Sequence, residues 1–301
     1  MIVSRSVAEL AADRSAVERG ARVALVPTMG ALHTGHRSLI SLARSLADVV
    51  AVSIFVNPLQ FGPEEDYVRY PRPLERDLEV CREDGVDLVF NPSAADLYPE
   101  GRQVSVNSGQ LGTILEGRVR PGHFDGVLTV VTKLFNLVRP DVAVFGQKDA
   151  QQLACVRRMV RDLNSGVEIV AAPIVREADG LAISSRNRYL APAERTSARS
   201  LSAALRAAAP YDTARQAKAA GQAILAEAES DPAFSLDYLA LVDPATFADV
   251  SDTFSGEALM VVAAKVGSTR LIDNTVLNLV PSGRTGSNGT LDLATSPVRG
   301  G

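Results

Sequence analysis

The sequence predicts an α/β fold: a doubly wound parallel sheet followed by a smaller α+β domain. Two observations predict it. Up to about Pro173, short β-branched runs alternate with stretches carrying apolar residues at helical spacing. Beyond that point the pattern turns into an alanine-rich helical stretch, then three strand-like runs separated by turns.

Taken in order, Val23–Val26 is the first strand candidate and leads through a Gly-containing turn into a helix over Arg37–Leu46. Val49–Val56 is the next strand, followed by a helix over Leu74–Asp84 and a strand at Asp87–Phe90. A helix over Gly126–Val138 precedes the strand Val142–Phe145, and a helix over Gln151–Leu163 precedes Val167–Ala171. The stretch from Pro192 to about Glu229 is alanine-rich and helix-forming, and Leu236–Leu241, Ala258–Ala264 and Arg270–Leu279 are the later strands. The expected organisation is one domain over residues 1–175, a smaller one over 176–281, and a disordered tail over 282–301, which is poor in apolar residues. In a doubly wound sheet, ligands bind at the carboxyl ends of strands beside a reversal of strand order. That rule directs the search for a site.

The chain has 301 residues, 46 % hydrophobic and 22 % charged, as expected of a soluble globular protein. Its net charge is −4, with 31 basic against 35 acidic residues and no basic block, which argues against nucleic acid as a partner. Met1-Ile2-Val3-Ser4-Arg5-Ser6 lacks the apolar run of a signal peptide, and no later run is long enough to span a bilayer. No membrane partner and a cytoplasmic location are therefore expected. Cys81 and Cys155 have neither metal-ligand nor disulfide-framework spacing.

Four clusters carry chemistry. The first is Met29-Gly30-Ala31-Leu32-His33-Thr34-Gly35-His36, between a strand and a helix start, where unpaired main-chain N–H groups favour anions. The two imidazoles add donors, and Gly35 leaves the approach open. The i, i+3 spacing without an acid or Cys does not match a zinc site, so no metal ligand is assigned. The second is Gly146-Gln147-Lys148-Asp149, at another strand-to-helix junction, where Lys148 can reach the same crevice and Asp149 can cap the helix. The third is Ile183-Ser184-Ser185-Arg186 at the domain boundary, with hydroxyls and a guanidinium suited to phosphate oxygens. The fourth is Asn57-Pro58-Leu59-Gln60, another strand end, which with Gln152 offers neutral amides to a hydroxyl- or carboxylate-bearing substrate. Neither G-x-x-x-x-G-K-[ST] nor G-x-G-x-x-G occurs, so adenylate transfer at a polyphosphate site fits better than hydride transfer.

His33-Thr34-Gly35-His36 resembles the HIGH-type signature of the nucleotidyltransferase superfamily. Within it, Pro27 to His36, Ser53 to Phe61, Phe145 to Gln152 and Ile183 to Leu190, together with Arg270 to Asn274, resemble the pantoate–β-alanine ligase family over about residues 20–280. The resemblance implies a Rossmann-like nucleotidyltransferase domain and a two-step ligase that uses ATP, Mg²⁺, (R)-pantoate and β-alanine. It implies ATP contacts from Met29 to His36, from Gly146 to Asp149, and from Val175 and Ile183 to Arg186. Catalytic roles would fall to His36, His33, Lys148 and Arg186, with His36 as proton donor and phosphate stabiliser. Gln60, Gln152 and Asn57 would hold pantoate or β-alanine, with Tyr70, Arg120 and His123 as secondary candidates. A homodimer through the larger domain is also implied. Gln147 stands where many relatives carry Glu, and Ile183 where many carry Met. Two other readings share the motifs: a nucleotidyltransferase releasing a dinucleotide-like product, and a non-catalytic nucleotide-binding or RNA-binding module.

Overall fold

The computed structural model describes residues 1–63, 65–99 and 103–280, so the tail expected at 282–301 lies outside the described residues. The first sheet is built from β1 (Ile2–Ser4), β2 (Val23–Thr28), β3 (Val49–Ile54), β4 (Leu88–Phe90), β5 (Val142–Gly146) and β6 (Glu168–Ala172). All its pairings are parallel, in the order β1-β4-β3-β2-β5-β6. From β2 the chain winds outward through β3 and β4, then returns to lay β5 on the other side of β2. The strand order therefore reverses between β2 and β5.

Helices cover both faces of this sheet: α1 (Val7–Ser15), α2 (Thr34–Leu46), α3 (Leu74–Glu83), α4 (Ala94–Leu97), α5 (Glu116–Val119), α6 (His123–Val138) and α7 (Ala150–Asp162). A strand covered on both faces is apolar at every position, and its period of two divides it between two cores. Val23 and Leu25 pack with Ala143, Phe145 and the apolar stripe of α6. Ala24 and Val26 pack with Val142, Val144 and Ile40 of α2.

The sequence pattern misses the beginning of the chain. β1 is a three-residue edge strand with Ile2 48 % exposed, and α1 buries only Leu10, so neither offers a repeat long enough to read. The alanine-rich stretch is two helices, α8 (Pro192–Ala208) and α9 (Ala214–Ala228). Pro210 lies between them, and it supplies no N–H and clashes with a continuing turn.

The second sheet is antiparallel, in the order β7 (Phe234–Val242), β8 (Gly256–Val266), β9 (Thr269–Leu279). The β8–β9 hairpin closes through Gly267 and Ser268, with Gly267 at a φ of +57° that a side chain would resist. α8 and α9 cover one face, closing a separate core around Leu201, Leu205, Leu225 and Met260. Among the described residues, no helix is long and apolar enough to cross a membrane.

Candidate active site

β2 and β5 are neighbours at the strand-order reversal, paired through Ala24–Val142 and Leu25–Ala143, and the two junctions singled out in the sequence follow these two strands. After β2 the chain turns through Gly30 and Ala31, with φ +80° and +52°, before α2 begins. A buried carboxylate fixes this turn. The N–H groups of Ala31 and Leu32 donate to Asp77 Oδ2 and Oδ1, at 2.8 Å each. A Cβ on Gly30 would fall 2.8 Å from that same Oδ2, so glycine is required for space as well as for φ.

Asp77 is 1 % exposed, and burial lifts its pKa above the usual carboxylate value against the pull of the two N–H donors. Sequence reading missed it, because an acid in the first turn of α3 looks like a helix-start residue facing water. Asp77→Asn turns one acceptor into a donor facing an N–H. It is expected to lower stability by about 1–3 kcal/mol; a wild-type melting temperature would refute the pinning role.

His33 and His36 stack, with ring centroids 4.0 Å apart and planes at 26°. The His33 main-chain N–H donates to His36 Nδ1 at 3.3 Å, so the neutral His36 ring carries its proton on Nε2. Among the described residues, His33 Nδ1 is buried with no hydrogen-bond partner. Burial, helped by the Lys148 ammonium, pushes the His33 pKa down to about 4. Burial, His33 and then Lys148 push His36 down to about 3. Both rings are thus neutral near pH 7. Gly35 lines the cavity described below, and a Cβ there would also press on His33 Cε1 and Nδ1 at 3.0 Å, so the gap it leaves seats that ring.

After β5, Lys148 sits in the tight turn Gln147–Asp149 that starts α7. Its side chain is 20 % exposed, and Asp149 Oδ1 at 3.9 Å stands at the limit of an ion pair. The ammonium is thereby left open to an anion.

A cavity of about 240 Å³ joins these groups. Met29, His33, Gly35 and His36 line it from the β2 side, and Gly146, Lys148, Asp149 and Gln152 from the β5 side. Val175 and Ile183 to Arg186 close it from the segment after β6, and Gln60, Tyr70, Arg120 and His123 from the side of α6. Gly30, Ala31, Leu32, Thr34, Gln147 and Asn57 do not line it. A second cavity of about 640 Å³ adjoins it toward the antiparallel sheet, sharing Arg120, His123, Lys148, Asp149, Gln152, Ser184 and Arg186.

Asn57 is 1 % exposed and its amide is fully engaged. Nδ2 donates to Gly126 O at 3.0 Å and Gln60 Oε1 at 3.2 Å, and Oδ1 accepts from Tyr98 OH and Leu59 N–H. The amide therefore orients Gln60 and has nothing left for a substrate. With Oε1 so held, Gln60 turns Nε2 toward Met29 Sδ, 3.0 Å away at the cavity wall.

Main-chain contacts complete the seat. Gln60 O accepts from His123 Nδ1 at 2.7 Å and Arg120 Nη2 at 3.2 Å, and Arg120 is paired with Glu65 at 2.6 Å. Burial and then Arg120 push the His123 pKa down to about 4.

A Cβ at Gly126 would lie 2.2 Å from Leu59 O and 2.8 Å from Gln60 N. Alanine in a helix interior is normally worth about 1 kcal/mol over glycine. Here overpacking at about 1–3 kcal/mol outweighs that gain. Gly126→Ala is expected to melt lower than wild type; an unchanged melting temperature would show that the seat yields freely.

On the closing segment, Ser184 Oγ accepts from the Arg186 N–H at 3.3 Å, and burial pushes the pKa of the nearby Tyr70 hydroxyl up. Arg186 pairs with Asp66 at 3.2 Å; burial opposes its charge, yet Asp66 prevails and its pKa is raised. Among the described residues, no group of three His, Cys, Asp or Glu is placed to hold a metal ion.

Comparison with known proteins identifies the family. The family model described as pantoate-beta-alanine ligase matches residues 2–276. The pantothenate synthetase of Thermobifida fusca is 60 % identical over 287 residues, covering 92 % of this chain and 96 % of the relative. That of Acidothermus cellulolyticus is 58 % identical, covering 91 % and 90 %. The crystal structure of pantothenate synthetase from Thermus thermophilus superposes with a TM-score of 0.86 at 49 % identity, covering 93 % of this chain and 100 % of that one. The ligase of Francisella tularensis, crystallised with β-γ ATP and β-alanine, superposes at 0.76 with 33 % identity, covering 92 % and 97 %. With a family model spanning nearly its whole length, the chain belongs to the pantoate–β-alanine ligase family.

Proposed function

We propose that the protein condenses (R)-pantoate with β-alanine to pantothenate at the expense of ATP, through an enzyme-bound pantoyl adenylate. The observation that carries this reading is the meeting of the His33–His36 turn, Lys148 and the Ser184–Arg186 segment around one cavity at the strand-order reversal. In the first step a pantoate carboxylate oxygen attacks the α-phosphorus, the bond to the β-phosphate oxygen breaks, and pyrophosphate leaves with its electron pair. In the second, the β-alanine amine attacks the acyl carbon, AMP leaves, and the nitrogen loses a proton. The carboxylate needs the first step because its own oxygen is a poor leaving group.

Charge accumulates on the α-phosphoryl oxygens and pyrophosphate during adenylation, and preorganised donors in a water-poor site stabilise it best. Lys148 supplies a cation, His36 the Nε2–H of a neutral ring, and Arg186 a guanidinium. His33, with its buried free Nδ1, meets the nucleotide, and the ATP seat runs from Met29 to His36, from Gly146 to Asp149 and over Val175 and Ile183 to Arg186. Gly30, Ala31, Leu32, Thr34 and Gln147 contribute through main-chain shape. Gln60 Nε2 and Gln152 hold pantoate, with Asn57 orienting Gln60. The valines of α6 at 127, 130 and 131 form an apolar wall for the dimethyl carbon of pantoate.

Mg²⁺ arrives as part of the MgATP substrate, held by phosphate oxygens, and no protein ligand is assigned to it. The larger half, residues 1–175, binds both first-step substrates, and residues 176–281 close over them. Two copies associate through the larger half, as the family resemblance implies. A cytoplasmic location is part of the same reading, supported by two buried, unpaired cysteines, Cys81 and Cys155.

Incubation with ATP, pantoate and β-alanine tests the reading. One AMP and one pyrophosphate are expected per pantothenate, and formation of ADP and phosphate would overturn it.

A further inference from the structure

Strand alternation puts Arg270, Ile272 and Asn274 on one face of β9. Two of the three reach across to the parallel-sheet half. Arg270 bonds both oxygens of Glu116 at 2.6 and 2.7 Å, and Tyr238 donates to the same carboxylate at 2.5 Å. Asn274 reaches the turn that bears Lys148. Its Nδ2 donates to Gln147 O at 3.0 Å and to Lys148 O at 2.9 Å. The residue is 2 % exposed, so these bonds are made away from water.

Its neighbour ties the other arm of the site. Asp273 accepts two bonds from Arg176, at 2.6 and 3.0 Å, and Arg176 donates to Gly180 O at 3.1 Å. Arg176 also bridges Ala182, two residues before Ser184. Adjacent residues on β9 therefore fix the Lys148 turn and the base of the Ser184–Arg186 segment relative to each other.

We infer that Asn274 is a positioning residue for adenylation. It holds the Lys148 main chain so that the ammonium meets the triphosphate, and it touches no substrate itself. The inference rests on the ligase reading above for the chemistry, but its binding consequence holds for any triphosphate at this site. An amide suits the task, since one NH₂ group supplies a hydrogen to each of two carbonyls. An isosteric carboxylate supplies none and repels both.

A double-mutant cycle tests this on the full-length protein, read by binding of a β,γ-non-hydrolysable ATP analogue and by pantoate-dependent pyrophosphate exchange. Asn274→Ala and Asn274→Asp are each expected to weaken analogue binding and slow exchange, with exchange falling about 10- to 100-fold. In a Lys148→Ala background the same substitutions should change either readout by no more than about twofold, because the group they position is gone. Asn274→Asp keeps the side-chain volume and carries the cycle if the alanine variant does not fold. Additive losses in the two backgrounds, or wild-type values for Asn274→Asp, would overturn the inference. A wild-type protein that binds the analogue without exchange would instead remove the ligase reading, and the binding cycle would still decide the role of Asn274.

Discussion

Lys148→Ala is expected to slow pantoate-dependent pyrophosphate exchange by about 10²–10³, with little change in melting temperature. The ammonium sits at the end of β5, largely enclosed, and among the described residues its ion-pair partner is Asp149, at 3.9 Å. It contributes little to folding there, because a partner at that distance adds little Coulomb energy beside a solvent-accessible cavity. Its field nevertheless reaches both imidazoles and helps to hold them neutral. A cation beside two neutral imidazoles, with no close counter-ion among the described residues, is matched to a polyanion that arrives with the substrate. Lys148→Met, which keeps the stem, should lose as much as alanine. Lys148→Arg should recover little, since the wider planar group does not fit a site shaped for a point charge. Exchange within about threefold of wild type in Lys148→Met would remove the lysine from the transition state.

His36→Ala is expected to cost a similar 10²–10³-fold or so in exchange rate, for two separable reasons. The ring accepts the His33 N–H through Nδ1 and presents Nε2–H to the cavity. His36→Asn can keep an acceptor near the Nδ1 position, and His36→Gln can place an amide N–H near Nε2. The glutamine variant should therefore retain more exchange and the asparagine variant more stability.

The pH dependence has a definite sign. The folded-state pKa values of about 4 for His33 and about 3 for His36 lie below the ordinary histidine value of 6.5. The unfolded chain then binds more protons between these limits, so stability is complete above about pH 6.5 and falls as the pH drops toward 3. For the free enzyme, kcat/KM should show no histidine limb between pH 5 and 8 from these two rings. A limb near 6.5 that disappears in His36→Gln would contradict the neutral-ring description.

The two junctions that matter most were legible in the sequence because their signals are local. Each is a β-branched strand, a glycine and a polar cluster at a helix start, and the parallel sheet then brings Lys148 beside His33 and His36. What was not legible depends on contacts between distant segments. Asp77 serves the turn at Ala31 and Leu32 from 45 or 46 residues away. Nothing in its own neighbourhood distinguishes it from a solvated helix acid. Asn57 has the opposite history: its strand-end position suggests a substrate ligand, but Gly126, Gln60, Leu59 and Tyr98 consume its amide. Asn274 belongs to a stretch whose pattern predicts a strand and nothing of what its side chains reach, and its tie to the Lys148 turn exists only once the two sheets have packed.

The most direct measurement is exchange of labelled pyrophosphate into ATP with β-alanine withheld. Exchange that requires pantoate, and that falls in Lys148→Met and His36→Ala alike, is the expected result. ATP labelling that ignores pantoate, or none at all from protein that makes pantothenate once β-alanine is added, would contradict an adenylate formed at the junction of β2 and β5.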